Sequence, residues 1–141
     1  MNGYIDTSVL AACYIKEASS AACEKQLAML DDIVISSLVE VEFYSVIARK
    51  IRMKDISLQT GREAVDLFEM HINEGYFMRV QFEKSHQQLA KRWLGRFDTQ
   101  LRTLDALHLA IAHENNLVLI TADKPLAACA KQLKTAFKLI Q

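Results

Sequence analysis

The chain has 141 residues, 51% hydrophobic and 24% charged, with 17 basic and 17 acidic side chains and a formal net charge of zero. That length suits one domain with a sizeable core, and with only four Gly and one Pro the composition is globular and helix-leaning. A neutral balance lacks the basic signature of a typical nucleic-acid binder, so any such activity must rest on local charge.

The first element in chain order is a brief strand over residues 3–5. It runs into the stretch YIDTSVL, where Asp6 stands at the edge of an apolar run and is followed by Thr7 and Ser8. A dry, unpaired carboxylate is costly there. Asp6 is therefore either a helix cap or part of a site that requires negative charge. Helices over 9–14 and 19–30 follow, and Asp31-Asp32 break the second before a strand at 33–36. The helix over 38–54 lies in SSLVEVEFYSVIARK. Ser37 and Glu40 have capping-box spacing, which accounts for Glu40. Glu42 has no such role. At about 100° per residue it shares a face with Leu38, Val39, Ser45 and Val46 and points inward.

Arg49, Lys50, Arg52 and Lys54 close that helix, where cations suit the negative end of the helix dipole. Ser57 opens a helix over 57–73, ended by Asn73-Glu74-Gly75, and a strand at 76–82 and a helix over 85–94 come next. In the helix over 101–115, Leu101, Leu104, Leu109 and Ala112 form an apolar stripe into which Asp105 falls. Thr103 as N-cap puts Asp105 in the first turn, where a negative charge is favoured. The chain ends with a strand at 117–121, then Asp123, a helix over 125–133 with Pro125 in its first turn, and a strand at 136–140. Cys13, Cys23 and Cys129 form no CxxC pair, and Cys13 and Cys129 read as small buried hydrophobes. The four histidines form no HExxH motif or Cys/His cluster, which argues against zinc.

Strands alternating with helices predict one α/β domain over 1–141, with a parallel sheet covered on both faces. In such sheets ligands bind beyond the carboxyl ends of the strands, where the strand order reverses. Asp6 and Asp123 occupy such positions, and Glu42 and Asp105 reach inward from helices. Four clustered carboxylates repel one another unless protons or cations neutralise them. Oxygen donors without thiolate or imidazole suit a hard ion, Mg²⁺ or Mn²⁺, which also binds phosphate oxygens. The expectation is that the four acids converge on one metal-sized hole. Asp6, Asp105 and Asp123 should lie nearest the ion, with Glu42 slightly further out and Glu40 turned toward its own helix start.

The order and spacing of these residues resemble the PIN-domain ribonucleases, most closely the VapC-type toxins of prokaryotic toxin–antitoxin pairs. The resemblance runs along nearly the whole chain, through YIDTSVL, SSLVEVEFYSVIAR, LRTLDALHLAIA and LVLITADKPL. It implies a three-layer α/β/α sandwich with a five-stranded parallel sheet and metal-dependent RNA cleavage by Asp6, Glu42, Asp105 and Asp123, supported by Thr7, Ser8 and Thr121. It also implies a homodimer and a small antitoxin that blocks the site. The groove between the helices over 38–54 and 57–73 is the expected antitoxin surface, unless Phe43, Tyr44 and Ile47 are used in the core. Arg49 and Arg102 are candidate phosphate contacts, and Trp93 is read as core. No apolar run is long enough to span a membrane and no leader pattern is evident, so a cytoplasmic location and no membrane partner are expected.

Other readings stay open on sequence alone. A PIN nuclease that is not a toxin, or a PIN module that binds RNA without cutting, would carry the same segments. TADKP resembles the last-strand Lys-Pro of receiver domains, although these carry an adjacent acid pair after strand one and Asp6 stands alone. A haloacid-dehalogenase-type phosphatase needs Asp-x-Asp where this chain has Asp6-Thr7-Ser8. A dinucleotide fold needs a Gly-rich first turn that IDTSVL lacks.

Overall fold

The computed structural model describes all 141 residues. Five strands are present: β1 (Asn2–Ile5), β2 (Asp32–Ser36), β3 (Met78–Val80), β4 (Val118–Thr121) and β5 (Phe137–Leu139). Seven helices connect and flank them: α1 (Thr7–Tyr14), α2 (Ser20–Ala28), α3 (Ser37–Arg52), α4 (Leu58–Asn73), α5 (Lys84–Leu94), α6 (Thr103–Glu114) and α7 (Lys124–Gln132). All strand pairs are parallel, in the order β3-β2-β1-β4-β5. Neighbouring residues on a strand point to opposite faces. Yet Tyr4 and Ile5, Val34 and Ile35, and Leu119 and Ile120 are all fully buried. Helices therefore cover both faces, as in the expected α/β/α sandwich.

The order places the chemistry. From β1 the chain builds outward through β2 to β3, then returns to lay β4 and β5 on the other side of β1. The strand order thus reverses between β1 and β4, and the crevice beyond their carboxyl ends is where such a sheet binds ligands. Asp6 directly follows β1, and Asp123 stands two residues beyond β4. A receiver domain has the order 2-1-3-4-5, so that alternative is removed by topology.

Helices α1, α2, α3 and α4 pack in a connected group, α5 packs on α6, and α7 lies on β4 and β5. The first group shares an aromatic core in which Phe43 and Phe68 approach to 4.4 Å between ring centroids and Tyr14 meets both edge-on. Gly61 allows α3 and α4 to close on each other, because a Cβ there would lie 2.5 Å from Ile51 Cδ1 and 3.1 Å from Ile47 Cγ2. Trp93 is buried, and so are Cys23 and Cys129, while Cys13 is half-buried.

Several local expectations are corrected. The strand expected at 76–82 shortens to Met78–Val80. Tyr76 stacks on His71 at 4.8 Å between ring centroids, and the Phe82 N–H turns away to the Ser37 hydroxyl. Ser37 is not a cap: Ser36 caps α3, accepting the Val39 N–H at 3.1 Å. Glu40 does not reach back to Ser37 but makes a two-pronged bond with the Arg79 guanidinium, at 2.8 and 3.1 Å. At α6 the cap residue is Arg102 rather than Thr103, and it makes no side-chain cap bond. Leu104 leaves the apolar stripe for solvent.

Candidate active site

Asp6 fills the first of the two roles that its position raised. Its backbone is extended at the start of α1, and Oδ1 accepts the Val9 N–H at 3.0 Å, so it is an N-cap. Its other oxygen, Oδ2, accepts the Thr121 hydroxyl. The residue is only 6% exposed. Burial pushes its carboxyl above the usual carboxylate range, and the Asp123 charge adds to this. The bonds from Thr121 and Val9 and the nearby His108 oppose the rise.

Asp123 repeats the arrangement on the neighbouring strand. It caps α7, accepting the Leu126 N–H on Oδ1 at 3.0 Å, and its own N–H donates to Thr121 Oγ1 at 3.0 Å. Thr121 is fully buried and donates to Asp6 while accepting from Asp123. One hydroxyl thus ties the two strand-end acids together across the switch point.

Asp105 stands in the first turn of α6, as the sequence phase required. Burial raises its carboxyl, and the charges of Asp123 and Glu42 raise it further, while His108 and Arg102 work against them. With Asp123, Arg102 and Gln100 it lines a cavity of about 510 Å³. Glu42 does not enter the apolar core. On its helical face Val39 is buried, Leu38 and Val46 are half-buried and Ser45 is exposed. Its Oε1 accepts the Thr7 hydroxyl at 3.1 Å and is bonded to His108 Nε2, whereas Oε2 takes no bond. Burial alone would raise its carboxyl, but the bond from His108, helped by Thr7, holds it below the usual range.

Asp6 and Asp105 each sense the charge of Asp123, and none of the three makes an ion pair. No group of three or more His, Cys, Asp or Glu side chains stands close enough to enclose a metal ion. The donor chemistry itself fits a hard divalent cation. The acids offer oxygen alone, and the one imidazole among them, His108, is bonded to Tyr4 and Glu42 on its two nitrogens.

Arg102 shares the cavity of Asp105 and Asp123. Arg49 and Ser8 do not: they line a separate cavity of about 330 Å³ with Lys50, Glu17 and Asp55. Thr7 is buried and bonded to Glu42, while Ser8 is exposed. Reasoning from sequence missed His108, Tyr4 and Ser36. The available signal was His108 lying one helical turn beyond Asp105, inside the apolar run from Ala106 to Ala112.

Two of the carboxylates, Asp105 and Asp123, line one cavity, and the charge of Asp123 is felt at Asp6 and that of Glu42 at Asp105. The PIN-domain family model matches residues 3–132, and the chain belongs to that family. Its fold is shared by VapC20 from Mycobacterium tuberculosis, described as a sarcin-ricin-loop-cleaving toxin (18% identity, TM-score 0.70, covering 89% of this chain and 93% of that one). VapBC2 from Rickettsia felis, solved with a DNA fragment from its promoter, matches over 100% of both chains at 16% identity and a TM-score of 0.71. FitAcB from Neisseria gonorrhoeae matches at 16% identity and a TM-score of 0.69, over 96% of this chain and 95% of that one. No match is found among curated protein sequences.

Proposed function

We propose that this chain is a divalent-metal-dependent endoribonuclease and the toxin of a VapBC-type pair. The observation that carries the reading is the set of carboxylates at the β1/β4 switch point of a PIN domain, three of them without an ion-pair partner. Uncompensated, partly buried negative charge is costly to maintain, and a cation relieves it. Asp6, Asp105 and Asp123 would hold Mg²⁺ or Mn²⁺, with the Glu42 charge, felt at Asp105, adding to the attraction. When bound, such an ion supplies positive charge to the phosphate oxygens and eases ionisation of a water.

The chain's own residues supply the rest. Glu42 stays ionised, and its free Oε2 would take the proton of the attacking water. The water oxygen bonds to phosphorus as the bond to the leaving ribose oxygen breaks, and that oxygen takes a proton from solvent. Arg102, beside Asp105, contacts a substrate phosphate and draws RNA toward an otherwise negative crevice. Arg49, in the neighbouring cavity, serves a phosphate further along the strand.

VapBC2 and FitAcB support a toxin–antitoxin setting, and with it a small antitoxin partner; a homodimer and a cytoplasmic location are further parts of the same proposal. No helix is long and apolar enough to cross a membrane. The antitoxin seat is the groove between α3 and α4, a cavity of about 270 Å³ lined by Tyr44, Ile47, Ala48, Ile51 and Val65. Phe43 belongs to the core rather than to this groove, and Tyr44 spans its rim to bond Glu69 at 2.7 Å. An antitoxin Arg or Lys reaching the acids would inhibit by charge pairing.

The decisive experiment incubates the purified chain with total cellular RNA, with Mg²⁺ or Mn²⁺ and with EDTA. Cleavage that EDTA abolishes supports the nuclease. Binding without cleavage would replace it with an RNA-binding module. Cleavage without growth arrest on expression would leave a PIN nuclease that is not a toxin.

A further inference from the structure

A chain of buried hydrogen bonds runs beneath the acids. The Val39 N–H donates to Ser36 Oγ at 3.1 Å, Ser36 Oγ meets the Tyr4 hydroxyl at 2.8 Å, and Tyr4 meets His108 Nδ1 at 2.7 Å. His108 Nε2 then meets Glu42 Oε1. Tyr4 and Ser36 are fully buried, and His108 is 3% exposed. Hydrogens assigned from this geometry satisfy every member in one direction: Ser36 donates to Tyr4, Tyr4 to Nδ1, and the Nε2–H to Glu42.

Each member lies close in sequence to an acid or its support. Tyr4 precedes Asp6 by two residues on β1, Ser36 caps the helix that carries Glu42, and His108 follows Asp105 by one turn on α6. Three elements that contribute carboxylates are therefore joined by side chains that contain none of the proposed metal ligands. Two donors, Thr7 and His108, converge on Glu42 Oε1 and leave Oε2 as its single free acceptor. An apolar core would fill the same space without fixing that carboxylate, because a buried polar network earns its place through geometry.

We propose that Tyr4 and His108 are positioning residues for Glu42, fixing the direction of its free oxygen within the acid crevice. The inference rests on the nuclease reading for what Glu42 does, though not for the contacts themselves. Residues that orient a metal or catalytic carboxylate typically change affinity or rate by about 10–100-fold when removed.

The test compares His108→Gln, whose amide can replace the Nε2 donor, with His108→Asn, whose amide reaches only the Nδ1 position, and with His108→Leu and Tyr4→Phe. The probes are an oligoribonucleotide that the wild-type chain cleaves, Mn²⁺ binding without RNA, and thermal melting. His108→Leu and His108→Asn should lower kcat by about 10–100-fold, with KM within about twofold. His108→Gln should recover most of that loss, although Gln and Asn disturb packing to a similar degree. Mn²⁺ affinity should fall in the same order, and in a Glu42→Gln background loss of His108 should weaken Mn²⁺ no further.

Wild-type kcat in His108→Leu, or losses in all variants that simply follow melting temperature, would overturn the positioning role and leave the nuclease intact. A wild-type chain that cleaves no RNA would instead overturn the functional reading. The Mn²⁺ series would then decide the positioning role alone, and unchanged affinity across it, or no binding at all, would refute it.

Discussion

Asp6 carries a cap and a charge at once, and two substitutions separate these duties. Asp6→Asn keeps an oxygen for the Val9 N–H and places an amide beside Thr121 Oγ1, while removing a carboxylate that burial and Asp123 both disfavour. Asp6→Ala removes everything. Loss of an N-cap costs about 1 kcal/mol, and leaving the buried Thr121 hydroxyl without its acceptor adds about 1–3 kcal/mol. The sum is roughly 2–4 kcal/mol, or about 6–12 °C in Tm at about 3 °C per kcal/mol for a chain of this length. In EDTA at pH 7, Asp6→Asn should melt at or above wild type and Asp6→Ala well below, with neither cleaving RNA.

Acidity gives a second check. A carboxyl raised by folding destabilises the folded form at neutral pH. This handicap disappears as pH falls through the raised folded value toward the unfolded value of about 3.9. The advantage of Asp6→Asn over wild type should therefore shrink between pH 7 and pH 4 in urea titrations. An Asn variant as unstable as the Ala variant at pH 7 would refute the separation of cap from charge.

Thr121→Val should destabilise by about 1–3 kcal/mol, read by urea unfolding, because a buried Asp6 oxygen and the Asp123 N–H lose their partner together. Arg102→Ala should raise KM for RNA, with a shallower dependence on salt than wild type, while leaving melting unchanged; Arg49→Ala should have the smaller effect. Mg²⁺ at 100 times its Kd should stabilise the wild type by about 2.7 kcal/mol, and calorimetry should show much less for Asp105→Asn.

The acids were legible because each is bound to a local signal: a strand end for Asp6 and Asp123, a helical phase for Glu42, a first turn for Asp105. Adjacent serines at 36 and 37 were not separable, since either can cap α3. The choice is made by Phe82 and Arg79, which claim Ser37 and Glu40 from 45 and 39 residues away in sequence. His108 was hidden for the same reason. Its partners Tyr4 and Glu42 lie 104 and 66 residues away, and no periodicity encodes a meeting at that distance. The spacing of the acids was not legible either, because a sequence pattern counts carboxylates without fixing the distances between them.

The sheet closes on both sides with strands only three residues long, β3 and β5. An edge that short offers too few free N–H and C=O groups to recruit another strand, which is how natural sheets avoid unwanted growth into fibres. Copies of this chain are thereby steered away from joining edge to edge. Lasting assembly is then left to the helical faces, and the carboxyl ends of β1 and β4, beside which Asp6 and Asp123 stand, lie in the middle of the sheet, away from both edges.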